Sequence, residues 1–187
     1  MEIDFSYIAT FLSLFFGLAI MNALGSISSY IQNFKKLKNY WLWWLWAICL
    51  IVLSCALWWN LFDTWAEIKV WERYYFPFLA FYSGLLYLVF DIFFDNFKDL
   101  DNKDLKFQYN KNKKPFFLLI TLLFLLKNLA EYFVQVQIIN KESSESFVPI
   151  LFQSSMFIIL AFSDNKYIHT VLSLIFVFFV LLGAFNI

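Results

Sequence analysis

Four polar residues at helical spacing interrupt one of the longest apolar runs in the chain: Lys127, Asn128, Glu131 and Gln135. Lys127 and Glu131 are i,i+4 neighbours, so on a helix the ammonium and the carboxylate can pair. Counted from Pro115, Lys127 lies about 18 Å along a helix rising 1.5 Å per residue, near mid-bilayer if the run crosses a membrane. An ionisable group at that depth costs ~2.5–3.5 kcal/mol on insertion scales and has to face protein or water. The stripe predicts either a hydrated cavity or a polar seam against another helix. A third arrangement stays open, in which Lys127 snorkels to the membrane edge and Glu131 onward stands outside. Gln153, Ser154 and Ser155 in the next apolar run, and Asn22 in the first, are the candidate partners.

Elsewhere the chemistry is sparse. The lone histidine, His169, opens the last apolar run with Thr170 and Ser173, a position that suits an interfacial residue better than a pH sensor. Asp91, Asp95 and Asp99 share one helical face but lack the glycine and spacing of a calcium loop, so they read as a solvated helix end. Cys49 and Cys55 lie in one apolar run, about 120° apart around a helix, which rules out a mutual disulfide. They read as small apolar fillers. With one histidine and no cysteine cluster, a zinc site has too few ligands. There is no phosphate-binding glycine loop, zinc-protease helix, nucleophile elbow or dinucleotide fingerprint. No enzymatic activity, cofactor or metal is expected.

The elements that position these residues follow from composition. Of 187 residues, 62% are hydrophobic and only 15% charged. Soluble domains average nearer ~25% charged, so this chain lacks the polar residues to cover its own apolar surface in water. A span needs roughly 20 apolar residues. Six stretches qualify as candidates, at about 5–31, 40–62, 74–94, 115–139, 147–162 and 168–186, with a charged loop at 95–114. Runs such as LLITLLFLL do not alternate apolar with polar residues, which excludes a β-barrel. The start, MEIDFSYIA, is acidic where a signal peptide is basic, so the first stretch reads as a retained span. The length leaves room for a single transmembrane domain.

Charge and small residues add orientation and packing. With six spans, one side receives 10 Lys or Arg and the other 3, while Lys127 stays within a span. The positive-inside rule then puts both termini outside the cytoplasm and the 95–114 loop within it. Tryptophans at both ends of the second span, YWLWWLW and WWNLFDTW, match the aromatic belt of a membrane interface. Ser13, Gly17, Gly25 and Ser29 recur at multiples of four, with Met21 completing the row. Such a stripe permits close helix packing, within the bundle or between protomers. Lys111, Lys113 and Lys114 form a basic end to the loop that can meet anionic headgroups or a soluble protein. Topology alone accounts for these lysines, and direct nucleic-acid binding is not expected.

The first third of the chain, FGLAIMNALGSISSY followed by KKLK and YWLWWLW, resembles a group of small uncharacterised bacterial multi-span membrane proteins. Size, span count and a Phe/Lys/Asn/Ile-rich composition are also similar to the membrane accessory proteins encoded beside the RNA-guided RNA nuclease of type VI-B CRISPR loci. That resemblance implies modulation of an antiviral RNA-targeting system from the membrane, with the charged loop as contact surface. The expectation is thus an all-α integral membrane bundle of about six transmembrane helices in the inner membrane. It would be non-enzymatic and self-associating, with lipid around it and a soluble partner at the loop. The rival expectation is a small oligomeric ion channel or transporter that uses the Lys127–Gln135 stripe.

Overall fold

The computed structural model describes residues 5–35, 38–66, 68, 71–94, 104–138 and 147–185. Among them are six α-helices: α1 (Phe5–Gln32), α2 (Trp41–Trp65), α3 (Tyr75–Phe94), α4 (Leu105–Phe133), α5 (Phe147–Phe162) and α6 (Lys166–Phe185). A π-helical turn, Val134–Ile138, continues α4. The all-α bundle expected from composition is what forms. Five of the helices are long and apolar enough to cross a membrane. The apolar part of α5, Ile150–Phe162, falls short of that length.

The helices of this bundle are apolar on more than one side. On α4, Phe116, Phe117, Ile120, Leu123 and Phe124 are buried. Leu118, Leu122, Leu125 and Leu129, at the same helical period, are exposed. On α1 the exposed row includes Leu14, Leu18, Met21 and Leu24. A helix apolar on its outward face needs a hydrocarbon surround. The chain is a multi-pass membrane protein.

α1 packs along α3, and α3 along α4; α4 carries α5, while α2 holds α6. The buried row of α1 includes Ala19 and Ala23, whose small side chains let α3 approach. Two side-chain bonds pin this contact: Ser26 Oγ donates to the Phe94 carbonyl at 3.0 Å and Asn22 Nδ2 to Asp91 Oδ1 at 3.3 Å. Asn22 is thus a partner of α3 and not of the Lys127 stripe. Asp91 is half-buried in that bond, not a solvated helix end. Asp95 and Asp99 lie outside the described residues, as does the loop from 95 to 103.

Three expectations need correction. Pro115 does not open the fourth helix. Asp104 caps it, accepting from the Lys106 backbone N–H at 2.9 Å, and Leu105 and Tyr109 then bury one helical turn apart. Proline inside a helix removes one backbone bond. The turn beside it is tied down by its neighbours, with Asn112 Nδ2 donating to the Ile92 carbonyl at 2.8 Å. The second half of the expected loop is therefore helix. Next, Trp43, Trp46 and Trp65 are core residues, not interfacial anchors, whereas Trp41 and Trp59 are exposed. Finally, the glycines of the small-residue row of α1 face out of the bundle: among the described residues no atom of another helix lies within 4 Å of a Cβ built at Gly17 or Gly25. Met21, in the middle of that row, is 69% exposed. Among the described residues neither glycine of the row packs against another helix, while Ser13 and Ser29 are half-buried.

Candidate functional site

Lys127 and Glu131 project from consecutive turns of α4 into the junction of α2, α3 and α4. Lys127 Nζ donates to Glu131 Oε2 at 2.7 Å. The carboxylate side chain is 6% exposed and the ammonium side chain 20%. The pair is thus packed inside the bundle against α2 and α3. Glu131 Oε1 is buried without a hydrogen-bond partner. Beside it is a cavity of about 20 Å³ lined by Asn60, Trp65, Leu79, Tyr82, Lys127 and Glu131. That volume holds roughly one water molecule. A carboxylate carries about four lone-pair sites, and a water at this position satisfies the orphaned oxygen.

On its other side Lys127 borders a larger crevice, about 320 Å³, between α2, α4, α5 and α6. Its polar lining is Asn60, Lys127 and Gln153. Its apolar lining includes Leu53, Leu57, Phe124, Phe176 and Val180. A second hollow of about 240 Å³ adjoins it through Gln153, Phe176 and Phe179. The crevice is open, not sealed, and the lysine stands between it and the one-water cavity.

Toward the other end of α4 the polar groups form a directional chain. His169 is 4% exposed, with Nε2 2.9 Å from the Ser163 carbonyl and Nδ1 2.9 Å from the Tyr109 hydroxyl. A carbonyl only accepts, so Nε2 carries the proton. In the neutral ring Nδ1 then accepts from Tyr109. Trp46 Nε1 donates to Ser173 Oγ at 2.9 Å. Lys113 Nζ also donates to the Ser163 carbonyl, at 2.8 Å, and pairs with Asp164. That hydrogen bond and charge hold the Asp164 carboxyl below its ordinary value. Tyr40, stacked edge-on against Tyr109, is pushed above its ordinary value by burial. The histidine is therefore an internal link beside the α5–α6 turn.

Between the two polar levels lies a layer of aromatic rings. Trp46 meets Phe116 at 5.3 Å, Phe117 at 5.2 Å and Phe176 at 5.4 Å between centroids. Phe157 meets Phe176 at 4.8 Å, and Phe93 meets Phe116 at 4.9 Å. These rings come from α2, α3, α4, α5 and α6, and none is more than 4% exposed. Edge-to-face and offset pairs of this kind are worth about 0.5–1.5 kcal/mol each beyond simple packing.

The expected stripe is only partly assembled. Asn128 Nδ2 turns back to the Phe124 carbonyl of its own helix at 2.8 Å. Gln135 is half-buried on the π-helical turn, beyond the Lys127–Glu131 pair. Of the proposed partners, Gln153 does share the crevice with Lys127, whereas Ser155 Oγ bonds its own helix at the Phe152 carbonyl. Asn60 and Tyr82 complete the site and escaped the sequence reading. Asn60 was legible as an isolated amide inside WWNLF. Of the three lysines, Lys113 is committed to the α5–α6 turn, Lys114 lies 4.9 Å over the Phe162 ring, and Lys111 is exposed. Among the described residues no group of three or more His, Cys, Asp or Glu side chains could hold a metal, and both cysteines are free. No family model, no curated protein and no solved structure matches this chain.

Proposed function

We propose that this protein is a non-enzymatic accessory or effector of the bacterial inner membrane, and not a conduit through it. The observation that carries this reading is the aromatic layer. Rings from five helices interlock between the Lys127–Glu131 pair and the Lys113–His169 chain, so the polar groups on the two sides do not join into one path. An ion crossing that layer would shed its hydration among side chains with nothing to replace it. The Lys127–Glu131 pair is then a local ion pair of α4 and no part of a conduction path. The lysine bias between the two sides supports an orientation with both termini outside the cytoplasm and the start of α4 within it. There Lys111 and Lys114 form an exposed basic edge that suits a soluble protein partner or anionic lipid. On the resemblance alone, we assign the host process to antiviral RNA targeting by a CRISPR nuclease.

Ion flux into proteoliposomes tests the reading. Wild type and a Lys127→Leu/Glu131→Leu variant are both expected to be silent. Flux in the wild type that disappears in the folded variant would overturn it and establish the rival channel. For the partner, the Lys111→Ala/Lys114→Ala variant is expected to lose co-purification with the nuclease at unchanged membrane level. Retention of the nuclease by that variant would remove the basic edge as the contact, and failure of the wild type to retain it would remove the assigned process.

A further inference from the structure

We infer that the crevice between α2, α4, α5 and α6 is a binding site for an uncharged amphiphile with a carbonyl-bearing head, of the quinone or diacylglycerol kind. Three observations converge on this class.

The first is unfilled polar capacity. The Lys127 ammonium has three N–H donors and spends one on Glu131. Asn60 and Gln153 line the same crevice. In hydrocarbon, amides and an ammonium without partners are costly, and a ligand head rich in acceptors relieves that cost.

The second is charge. Lys127 and Glu131 cancel, so the polar end of the crevice is neutral overall. An anionic head would leave a net negative charge in the crevice, whereas a carbonyl accepts from Lys127, Asn60 or Gln153 and adds none. The site favours a neutral ligand over a fatty-acid anion.

The third is shape. Asn60, Lys127 and Gln153 gather at one level. Leu53, which lies two helical turns before Asn60 on α2, and Phe176 line the part reaching toward the aromatic layer. The crevice thus has a polar head end and an apolar tail end, and the adjoining hollow extends the latter. Its volume sits at the lower end of the ~300–1,000 Å³ typical of ligand pockets. Gly183 lines it on the α6 side, and a Cβ built there meets open space into which a larger side chain can extend.

Equilibrium binding to the full chain in nanodiscs tests this, with tritiated decylubiquinone, dioleoylglycerol and oleate as probes. Saturable binding of either uncharged probe is expected, with oleate at least tenfold weaker, and the tighter of the two identifies the source. Gly183→Phe fills the crevice and Gln153→Leu removes a head contact. Each is expected to weaken binding tenfold or more while size-exclusion behaviour and helicity stay unchanged. Because the two variants lie on different helices, one still reads the site if the other fails to fold. Saturable binding by neither uncharged probe, oleate binding as tightly, or a folded variant with unchanged affinity would each overturn the assignment.

Discussion

Removing either member of the Lys127–Glu131 pair leaves a charge inside the bundle, and the two removals should not cost the same. Lys127→Leu strands a carboxylate whose side chain is 6% exposed and whose Oε1 already lacks a protein partner. Breaking a buried pair from one side costs about 3–5 kcal/mol, and this case belongs in that range. Glu131→Leu strands an ammonium that is 20% exposed and borders an open crevice. The flexible lysine stem can carry its head toward that opening, which limits the cost to about 1–3 kcal/mol. Replacing both by leucine removes both charges and suits the apolar surroundings, so the double variant should lie within about 1 kcal/mol of wild type.

The pair is intrahelical, so it also survives on α4 when the bundle comes apart in the membrane. What folding adds is burial against Trp65, Leu79 and Tyr82. The single variants are therefore costly chiefly through the stranded charge, and the coupling between the two sites should reach at least about 2 kcal/mol. Reversible unfolding in bicelles, followed by steric trapping of a split biotin pair, supplies the four free energies of the cycle. Additive costs, with coupling below about 0.5 kcal/mol, would refute the reasoning and show each charge separately hydrated. A Glu131→Leu cost exceeding that of Lys127→Leu would refute the asymmetry alone.

Further outcomes follow from the other polar level and from the outer faces. Tyr109→Phe removes the O–H that serves His169 Nδ1 and should lower stability by about 1–3 kcal/mol in the same unfolding assay. Trp46→Ala empties the centre of the aromatic layer and should cost about 3–5 kcal/mol, enough to lose the folded protein from detergent extracts. Because Lys113 depresses the Asp164 carboxyl, its contribution is complete above the ordinary carboxylate value and is lost as pH falls through the lowered one. Thermal midpoints taken downward from pH 6 should therefore fall in wild type, with the part due to this pair missing in Asp164→Asn. Gly17→Leu and Gly25→Leu should leave the stability of the single chain within about 0.5 kcal/mol, since both point into open space. If α1 is the surface through which copies associate, the same variants abolish the crosslinked dimer.

The fold class was legible because a membrane makes only a few demands, and length with continuous apolarity meets them. Helix partners were not, and the reason is physical. In water an amphipathic stripe says which face is buried, but here buried Phe116 and exposed Leu118 are equally apolar. The driving force between helices is packing, which leaves little trace in residue type. The small-residue row of α1 shows the consequence: its spacing marks a surface fit for close approach but does not say whose. Trp43 and Trp46 misled in the same way, because a tryptophan near a helix end fits the interface and the core alike. Pro115 hid the start of α4, since proline marks first turns more often than interiors. Asp104, the residue that caps α4, was the better sign, with Leu105 and Tyr109 behind it.

What remained readable in the site was charge, because charge inside hydrocarbon always needs an explanation. Lys127 was found as a charge inside an apolar run and Glu131 by its spacing, yet neither residue says what stands opposite. Asn60 and Tyr82 come from α2 and α3, elements separated from α4 by sequence but packed beside it. Along α4, Lys113 and Lys127 are 14 residues apart, about 21 Å of helix. That is less than the ~30 Å hydrocarbon thickness, so the two cations cannot stand clear of a bilayer on opposite sides of it. Each is answered differently. Lys113 is met by a carbonyl and by Asp164 from the turn between α5 and α6, so that its bond clamps three elements together. Lys127 is met by its own helix and clamps nothing, and it borders a crevice lined by other helices. A lysine whose pairing is satisfied locally, beside space lined by other helices, is placed for a ligand and not for architecture. That difference is why the crevice, and not the basic end of α4, is where binding chemistry should be sought first.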